Sequence, residues 1–165
     1  MASTNDAAVE PPTGWVQVWF ALRGCNASAF GMGAEALSPD RVRLPRAPWF
    51  PLNATKGDIF RVQAGDENKL WVQDKIQASG YCAIKLMLAD DSPLGPIDTG
   101  TEAMVDKFIP LAVTGLGMFG VAVIDVPPEA DLRRVRHLLD EGQHEGWWDY
   151  DELCVTDAWR TALTG

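Results

Sequence analysis

Apolar side chains recur at every second position through much of the first half of the chain, which is the period of a β-strand. The segment W-V-Q-V-W-F-A-L, residues 15–22, is the clearest case. The same period, bounded by turn-forming residues, predicts five further strands, of which the last two form a hairpin through Ser79 and Gly80. These strands cover residues 34–37, 41–44, 59–64, 70–77 and 81–88. Residues 24–33 are predicted to form a flexible loop, and residues 1–14, which lack apolar periodicity, a disordered lead-in.

The second half of the chain shows helical spacing as well as strands. A first helix is predicted from Thr101, shortened by Pro110, after a linker over residues 89–100. The continuous apolar run of residues 118–126 predicts one buried central strand. A second helix is predicted after Pro127 and Pro128, with an apolar stripe and an end at Gly142. Residues 147–154 predict a last strand, and residues 156–163 a terminal helix capped by Thr156.

These elements predict an α+β fold in which an N-terminal antiparallel β lobe, residues 15–88, packs on a C-terminal α/β half, residues 101–165. The C-terminal half is predicted to be ferredoxin-like, with a split β-α-β layout, from the succession strand, strand, helix, strand, helix, strand. Since 165 residues suffice for one well-cored domain, we expect residues 15–165 to fold as a single domain.

The net charge of −9 is concentrated in the C-terminal half of the chain. Residues 1–95 carry nine basic and ten acidic side chains, whereas residues 96–165 carry five basic and thirteen acidic ones. Direct binding to nucleic acid is therefore disfavoured, because displacing counterions from phosphates requires clustered lysine and arginine. A basic protein partner is compatible with this charge.

The acidity and the aromatic residues coincide between His137 and Trp159, where seven carboxylates occur without a lysine or arginine. A field of one sign steers an oppositely charged partner, and flat aromatic rings supply contact area at low entropic cost. The residues predicted to bind a partner are Asp140, Glu141, Glu145, Trp147, Asp149, Asp151, Glu152 and Trp159. Binding requires Trp147 or Trp159 to be exposed beside the acids. In the alternative interpretation, Trp148 and Tyr150 belong to the core of the last strand and the acids form its solvated face.

No residue pattern predicts catalysis, a cofactor or a metal site. The only histidines, His137 and His144, have no Ser-His-acid arrangement around them, and the apolar neighbours of Cys154 indicate a structural thiol. Three scattered cysteines without a C-x-x-C pair indicate reduced thiols rather than zinc or a disulfide framework. The chain has neither a signal peptide nor an apolar stretch long enough to span a membrane, so we expect a cytoplasmic protein.

Several segments, in this order, resemble a bacterial family labelled "domain of unknown function 4265". They are V-Q-V-W-F-A-L at residues 16–22, A-E-A-L at 34–37, P-W-F-P-L-N-A-T-K-G-D-I-F at 48–60, S-G-Y at 79–81 and the block from V-P-P-E-A-D-L to W-D-Y-D-E-L-C at 126–154. The chain departs from the family pattern at Gly33, where a tryptophan is expected, and carries a longer insert around residues 93–99. The resemblance implies no activity, cofactor or catalytic residue. It implies that part of the segment around Trp148 supports the shared fold.

The leading functional hypothesis is a non-enzymatic, cytoplasmic protein-binding module that neutralises a basic partner. Its most concrete form is a bacterial immunity protein or antitoxin, because nucleases present basic clefts that an acidic surface can cover. The alternative is an enzyme or small-ligand binder with its site between the two lobes, near Trp49, Phe50 and Trp71. A self-associating structural or regulatory subunit is a second alternative, which no repeat or heptad in the sequence supports.

Overall fold

The computed structural model of the chain describes residues 14–22 and 28–162. Within those ranges it contains nine β-strands, three α-helices and two short 3-10 helices. The strands are β1 Trp15–Ala21, β2 Ala29–Ser38, β3 Arg41–Arg43, β4 Ile59–Ala64, β5 Leu70–Gln77, β6 Cys82–Leu88, β7 Thr114–Met118, β8 Val121–Val126 and β9 Trp148–Cys154. The helices are α1 Ile97–Asp106, α2 Leu132–His144 and α3 Asp157–Ala162, with the 3-10 helices at Asp66–Asn68 and Ile109–Leu111.

The chain divides into two compact units, the first of residues 1–45 and 57–78, the second of residues 46–56 and 79–165. The first unit is a closed barrel of β1 to β5. Successive strands are antiparallel, so β1 and β5 run in the same direction and the pairing that closes the barrel is parallel. Alternate residues of each strand point inward and fill a small barrel of this kind with side chains. The buried side chains of its first four strands are Val18, Phe20, Met32, Ala34, Val42, Phe60 and Val62.

The second unit is a four-stranded antiparallel sheet in the order β7-β8-β6-β9. The helices supply one side of its main core, in which Phe108 from the segment after α1, Val135 and Leu139 from α2 and Trp159 from α3 are all fully buried. On the opposite face of the sheet, Ala47 and Trp49 pack with Ala83 of β6 and Val123 of β8. The strands β7 and β9 are the two edges of this sheet.

The predicted fold class, an antiparallel β lobe packed on a ferredoxin-like C-terminal half, is wrong as a description of this chain. The protein is mostly β-strand, with a closed five-stranded barrel and a second, separate sheet. The predicted hairpin of residues 70–88 does not form, because β5 belongs to the barrel and β6 to the second sheet. The predicted succession of the C-terminal half is also wrong: after the barrel, the chain runs strand, helix, strand, strand, helix, strand and a final short helix.

Three local predictions are also corrected. The predicted buried central strand of residues 118–126 is β8 from Val121 onward, whereas Met118 ends β7 and the chain turns between the two strands at Phe119 and Gly120, both with positive φ. The helix α1 starts at Ile97, inside the predicted linker, and ends before Pro110. Residues 29–33, predicted as part of a flexible loop, form the start of β2, whereas residues 24–27 lie outside the described residues.

The local patterns are confirmed where several signals agree. The strand predicted at residues 15–22 is β1, and the strands predicted at 59–64 and 147–154 are β4 and β9. The helix predicted after Pro128 is α2, with Asp131 as its cap. Thr156 caps α3, since its Oγ1 accepts a hydrogen bond from the Trp159 backbone N–H at 3.2 Å. The predicted disordered lead-in, residues 1–14, falls outside the described residues except for Gly14.

Candidate functional site

The acidic and aromatic residues between His137 and Trp159, here called the acidic-aromatic segment, are positioned by the packing of β9 against α2. A capping hydrogen bond from the Arg134 backbone N–H to Asp131 Oδ1, at 3.2 Å, starts α2. Near the other end of the helix, the absence of a side chain at Gly142 makes room for the indole of Trp148. The Trp148 Nε1 donates to the carbonyl oxygen of Leu139 at 3.0 Å, so the buried indole keeps a hydrogen-bond partner. Trp148 is therefore a core residue that fixes the start of β9, as expected from the alternative interpretation of this segment.

A hydrogen-bonded ion-pair network joins α2, β9 and α3. The Tyr150 hydroxyl donates to Asp140 Oδ1 at 2.5 Å. The guanidinium of Arg136 lies 3.2 Å from both Asp140 Oδ2 and Glu152 Oε2. The Trp159 Nε1 donates to the same Glu152 oxygen at 2.8 Å. Two of the predicted partner-binding acids, Asp140 and Glu152, are therefore already paired within the protein.

Burial raises the pKa of the Tyr150 hydroxyl to about 12, and its hydrogen bond to Asp140 adds to this effect. A neutral phenol can donate to the carboxylate, whereas a phenolate beside Asp140 and Glu152 would be repelled. Tyr150 therefore stays protonated well above pH 10, the ordinary pKa of tyrosine.

Four predicted acids remain outside this network: Glu141 and Glu145 on and after the last turn of α2, and Asp149 and Asp151 on β9. We call these four residues the acidic face. All four are exposed, and no described cation forms an ion pair with any of them. A hydrogen bond links α2 to β9, since Gln143 Nε2 donates to Asp149 Oδ1 at 3.4 Å. Asp149 and Asp151 point away from Trp148 and Tyr150, as the alternation of β9 predicts.

The two tryptophans proposed as contact residues differ in exposure. Trp159 is fully buried, so it offers no area to a partner, and that part of the prediction is wrong. Trp147 is half-buried, with the Lys107 Nζ 4.1 Å from its ring centroid. Its backbone carbonyl oxygen accepts hydrogen bonds from the Ala89 N–H and the Ser92 hydroxyl. Trp147 thus offers only part of its ring beside the acidic face.

Sequence reasoning did not anticipate a basic groove along α2. A groove of about 580 Å³ is lined by the cations Lys107, Arg133 and Arg134, by His137 and Glu141, and by an apolar floor of Pro110, Leu111 and Leu138. The sequence R-R-V-R-H-L-L at residues 133–139 carries the signal, since residues three and four apart share a helix face. The acidic face and the basic groove therefore adjoin on α2, where they share Glu141.

A buried carboxylate, Asp125 on β8, is the other chemical feature that the sequence analysis missed. Burial raises its pKa from 3.8 to about 6, against the opposing effects of a hydrogen bond from the Ala47 N–H and of the nearby Lys56 and Arg46. It borders a cavity of about 180 Å³ together with Lys56, Tyr81 and Glu129. The signal was the single acid within the apolar run of residues 121–126. No group of three or more histidine, cysteine or acidic side chains within the described ranges is arranged to hold a metal ion.

The thiols and histidines do not come together in the described structure. The Cys154 Sγ lies 3.5 Å from Asn53 Oδ1, at the end of β9, whereas His144 is the last residue of α2, before the start of that strand. Cys82 is buried, with its Sγ 3.7 Å from Thr156 Oγ1. Cys25 lies outside the described residues. None of the described helices is long and apolar enough to cross a membrane.

The comparisons with known proteins identify a family and a shared fold. Residues 31–150 match the family described as "Domain of unknown function (DUF4265)", and because the match covers most of the chain, the protein belongs to that family. This confirms the resemblance found in the sequence. Among solved structures, a hypothetical protein from Neisseria gonorrhoeae aligns with a TM-score of 0.65 at 15% identity, over 84% of this chain and 94% of that one. At this identity the likeness concerns the fold alone. The comparison with curated proteins gives no match.

Proposed function

We propose that the protein is a non-enzymatic binding module that docks a basic protein partner through the acidic face. The observation that carries this proposal is the pairing pattern of the acids. Asp140 and Glu152 share the single positive charge of Arg136. Glu145, Asp149 and Asp151 are exposed without a described cationic partner, and Glu141 borders the basic groove. Exposed carboxylates without a counter-charge in the chain add to its electrostatic self-repulsion, and a basic partner relieves that cost.

The rigid support of the acidic face favours protein recognition over plain solubility. Asp149 and Asp151 stand on a strand whose alternate residues are fixed in the core and in the ion-pair network. Binding loses less entropy when the contacting groups are already held in place. Trp147 adds a partly exposed ring at the start of the same strand.

The concrete form that we propose is an immunity protein or antitoxin whose partner is a toxin with a basic, nuclease-like cleft. Such clefts carry clustered lysine and arginine to grip phosphates, and an acidic surface can cover them without chemistry of its own. The charge of the C-terminal half, in which acids outnumber bases thirteen to five, supports this choice of partner.

The test is charge reversal on the acidic face. The partner is captured with the intact chain from the native host or by co-expression with the neighbouring gene. In the variant with Glu145, Asp149 and Asp151 all replaced by lysine, we expect association to slow by about ten-fold or more and its salt dependence to flatten. Asp66→Lys, an exposed substitution in the barrel unit, is the control and should leave the rates unchanged. Unchanged association of the reversed variant would refute the proposal.

A growth assay tests the immunity form of the proposal separately. If the captured partner is toxic when expressed alone, co-expression of the intact chain should restore growth and the reversed variant should not. Capture of a partner that has no toxicity would leave the binding module standing and exclude the immunity or antitoxin role.

A further inference from the structure

The second sheet has another open edge, formed by β7. Strand β7 pairs only with β8 and is followed by a two-residue turn at Phe119 and Gly120. A groove of about 410 Å³ runs between β7 and α1. An edge strand presents unpaired backbone N–H and C=O groups, which can pair with an extended segment from another chain.

The two faces of β7 differ in chemistry. Gly115 and Gly117 face α1: a Cβ at Gly117 would lie 2.8 Å from Thr101 Cγ2, and one at Gly115 would lie 2.9 Å from Ile124 Cγ2 in the core. The alternate residues Leu116 and Met118 point to the other face, where Leu116 is 49% exposed and Met118 is 54% exposed. The glycines therefore let Thr101 of α1 and Ile124 pack closely against one face of β7, and the other face carries an apolar strip.

The helix wall of the groove is acidic. Asp98, Glu102 and Asp106 occur at four-residue spacing on α1, so they share one helix face, and all three line the groove. They are exposed, and no described lysine or arginine forms an ion pair with them. Four helical residues rise about 6 Å, and two strand residues rise about 6.8 Å. The spacing of successive acids on α1 thus matches the spacing of alternate side chains on a strand that lies beside β7.

Phe119 has a backbone conformation that is unfavourable for a phenylalanine. It adopts a left-handed φ of +53°, at the first position of a hairpin turn that prefers asparagine, aspartate or glycine. The phenyl ring is 80% exposed, so burial in the chain does not compensate for this conformation. A large exposed aromatic side chain next to an open edge and a groove is typical of a contact residue.

We propose that the groove between α1 and β7 binds a basic segment of a partner protein, which adds to the edge of β7 as a further strand. Its side chains alternate: lysine or arginine on the face beside Asp98, Glu102 and Asp106, and apolar residues on the face beside Leu116 and Met118. A second copy of this chain is a poorer occupant, because pairing two β7 edges would bring the two sets of carboxylates towards each other. This surface lies at the other edge of the sheet from the acidic face and does not depend on the function proposed for that face.

A synthetic peptide of about seven residues that alternates lysine and valine is a direct probe. Titrated into the isotope-labelled full chain, it should shift the backbone amide resonances of residues 114–118 and slow their hydrogen exchange. Two further peptides of the same sequence, one N-methylated at the odd-numbered residues and the other at the even-numbered residues, test whether the peptide pairs with β7 through backbone hydrogen bonds. One of the two methylated peptides should lose binding, because its added strand lacks the donors that face β7.

Variants of the groove separate its charged and apolar sides. The variant with Asp98→Asn, Glu102→Gln and Asp106→Asn should bind the lysine–valine peptide about ten-fold more weakly. The matched variant of the acidic face, Glu141→Gln, Glu145→Gln and Asp149→Asn, should bind it as the wild type does. Phe119→Asn should fold with no loss of thermal stability and bind the peptide more weakly. Weaker binding without a loss of thermal stability would show that Phe119 contacts the peptide and does not support the fold.

The proposal is overturned if the peptide does not bind, if both methylated peptides bind as well as the parent, or if the resonance shifts fall away from residues 97–119. Equal loss of binding in the two neutralised variants would show non-specific attraction to negative charge and would also overturn it. Dimerisation of the intact chain that protects residues 114–118 would show that a second copy, not a basic segment, occupies the edge.

Discussion

Replacement of Asp125 by asparagine should remove a pH-dependent cost in the stability of the second unit. Asp125 is only 7% exposed, and burial raises its pKa from 3.8 to about 6. A carboxyl whose pKa is higher in the folded than in the unfolded protein binds its proton more tightly when folded. Its stabilising contribution is therefore complete below about pH 4 and is lost as the pH rises through about 6.

The magnitude follows from the size of the shift. A shift of about two pH units, at about 1.4 kcal/mol per unit, corresponds to about 3 kcal/mol of stability lost between acid and neutral pH. Asparagine keeps the shape of the side chain and an oxygen that can accept the hydrogen bond from the Ala47 N–H, 3.2 Å away in the wild type. It does not titrate. Relative to the wild type, Asp125→Asn should therefore gain up to about 3 kcal/mol in the free energy of unfolding between about pH 4 and about pH 8.

Urea unfolding of both proteins at several pH values across this range measures the difference. Asp151→Asn, an exposed substitution in the same sheet, is the control and should change stability by no more than about 0.5 kcal/mol at each pH. A difference between wild type and Asp125→Asn that does not vary with pH would refute the reasoning. A variant that becomes relatively less stable as the pH rises would show that the ionised carboxylate is held by Arg46 and Lys56 more strongly than burial opposes it.

Two further predictions concern the packing of α2 on β9. Gly142→Ala should destabilise the protein by about 1–3 kcal/mol, because its Cβ would overlap the buried Trp148 indole, although alanine favours helix. Thermal and urea unfolding measure this, with the exposed His137→Ala as a control, and a stabilised Gly142→Ala would contradict it. Tyr150→Phe should reduce the loss of stability between about pH 10 and about pH 12, since a pKa raised to about 12 makes the wild type lose stability as the pH rises through that window. An alkaline unfolding profile identical to that of the wild type would count against the raised pKa of Tyr150.

Local sequence signals predicted elements well where several of them agreed. The helix α2 has a proline pair before it, a capping aspartate and an apolar stripe, and all three are features of neighbouring residues. The hairpin of β7 and β8 was missed because its turn is Phe119-Gly120, which carries only half of the usual turn signature and interrupts no apolar run. The sorting of β5 and β6 into different sheets depends on pairing between distant residues, which an alternating pattern does not encode.

In the candidate site, too, the features set by neighbouring residues were predicted, and those set by contacts between distant residues were not. The alternation of β9 correctly placed Trp148 and Tyr150 inward and Asp149 and Asp151 outward. The burial of Trp159 depends on how α3 packs into the core, and its hydrogen bond to Glu152 joins two elements. Charge counting along the sequence could not show that Arg136, sixteen residues before Glu152, neutralises part of the acidic segment.

The two edges of the second sheet indicate how an exposed strand is tolerated in this protein. Along β9, outward-pointing Asp149 and Asp151 place charge on the edge, which discourages pairing with another strand. Strand β7 has glycines and exposed apolar residues instead, a composition that favours pairing. The carboxylates of α1 lie along that groove and repel a second copy of the same chain while they attract a basic segment. On this proposal, an edge that is apolar in its strand and acidic in its flanking helix would be protected from self-association by the same charges that would select its partner.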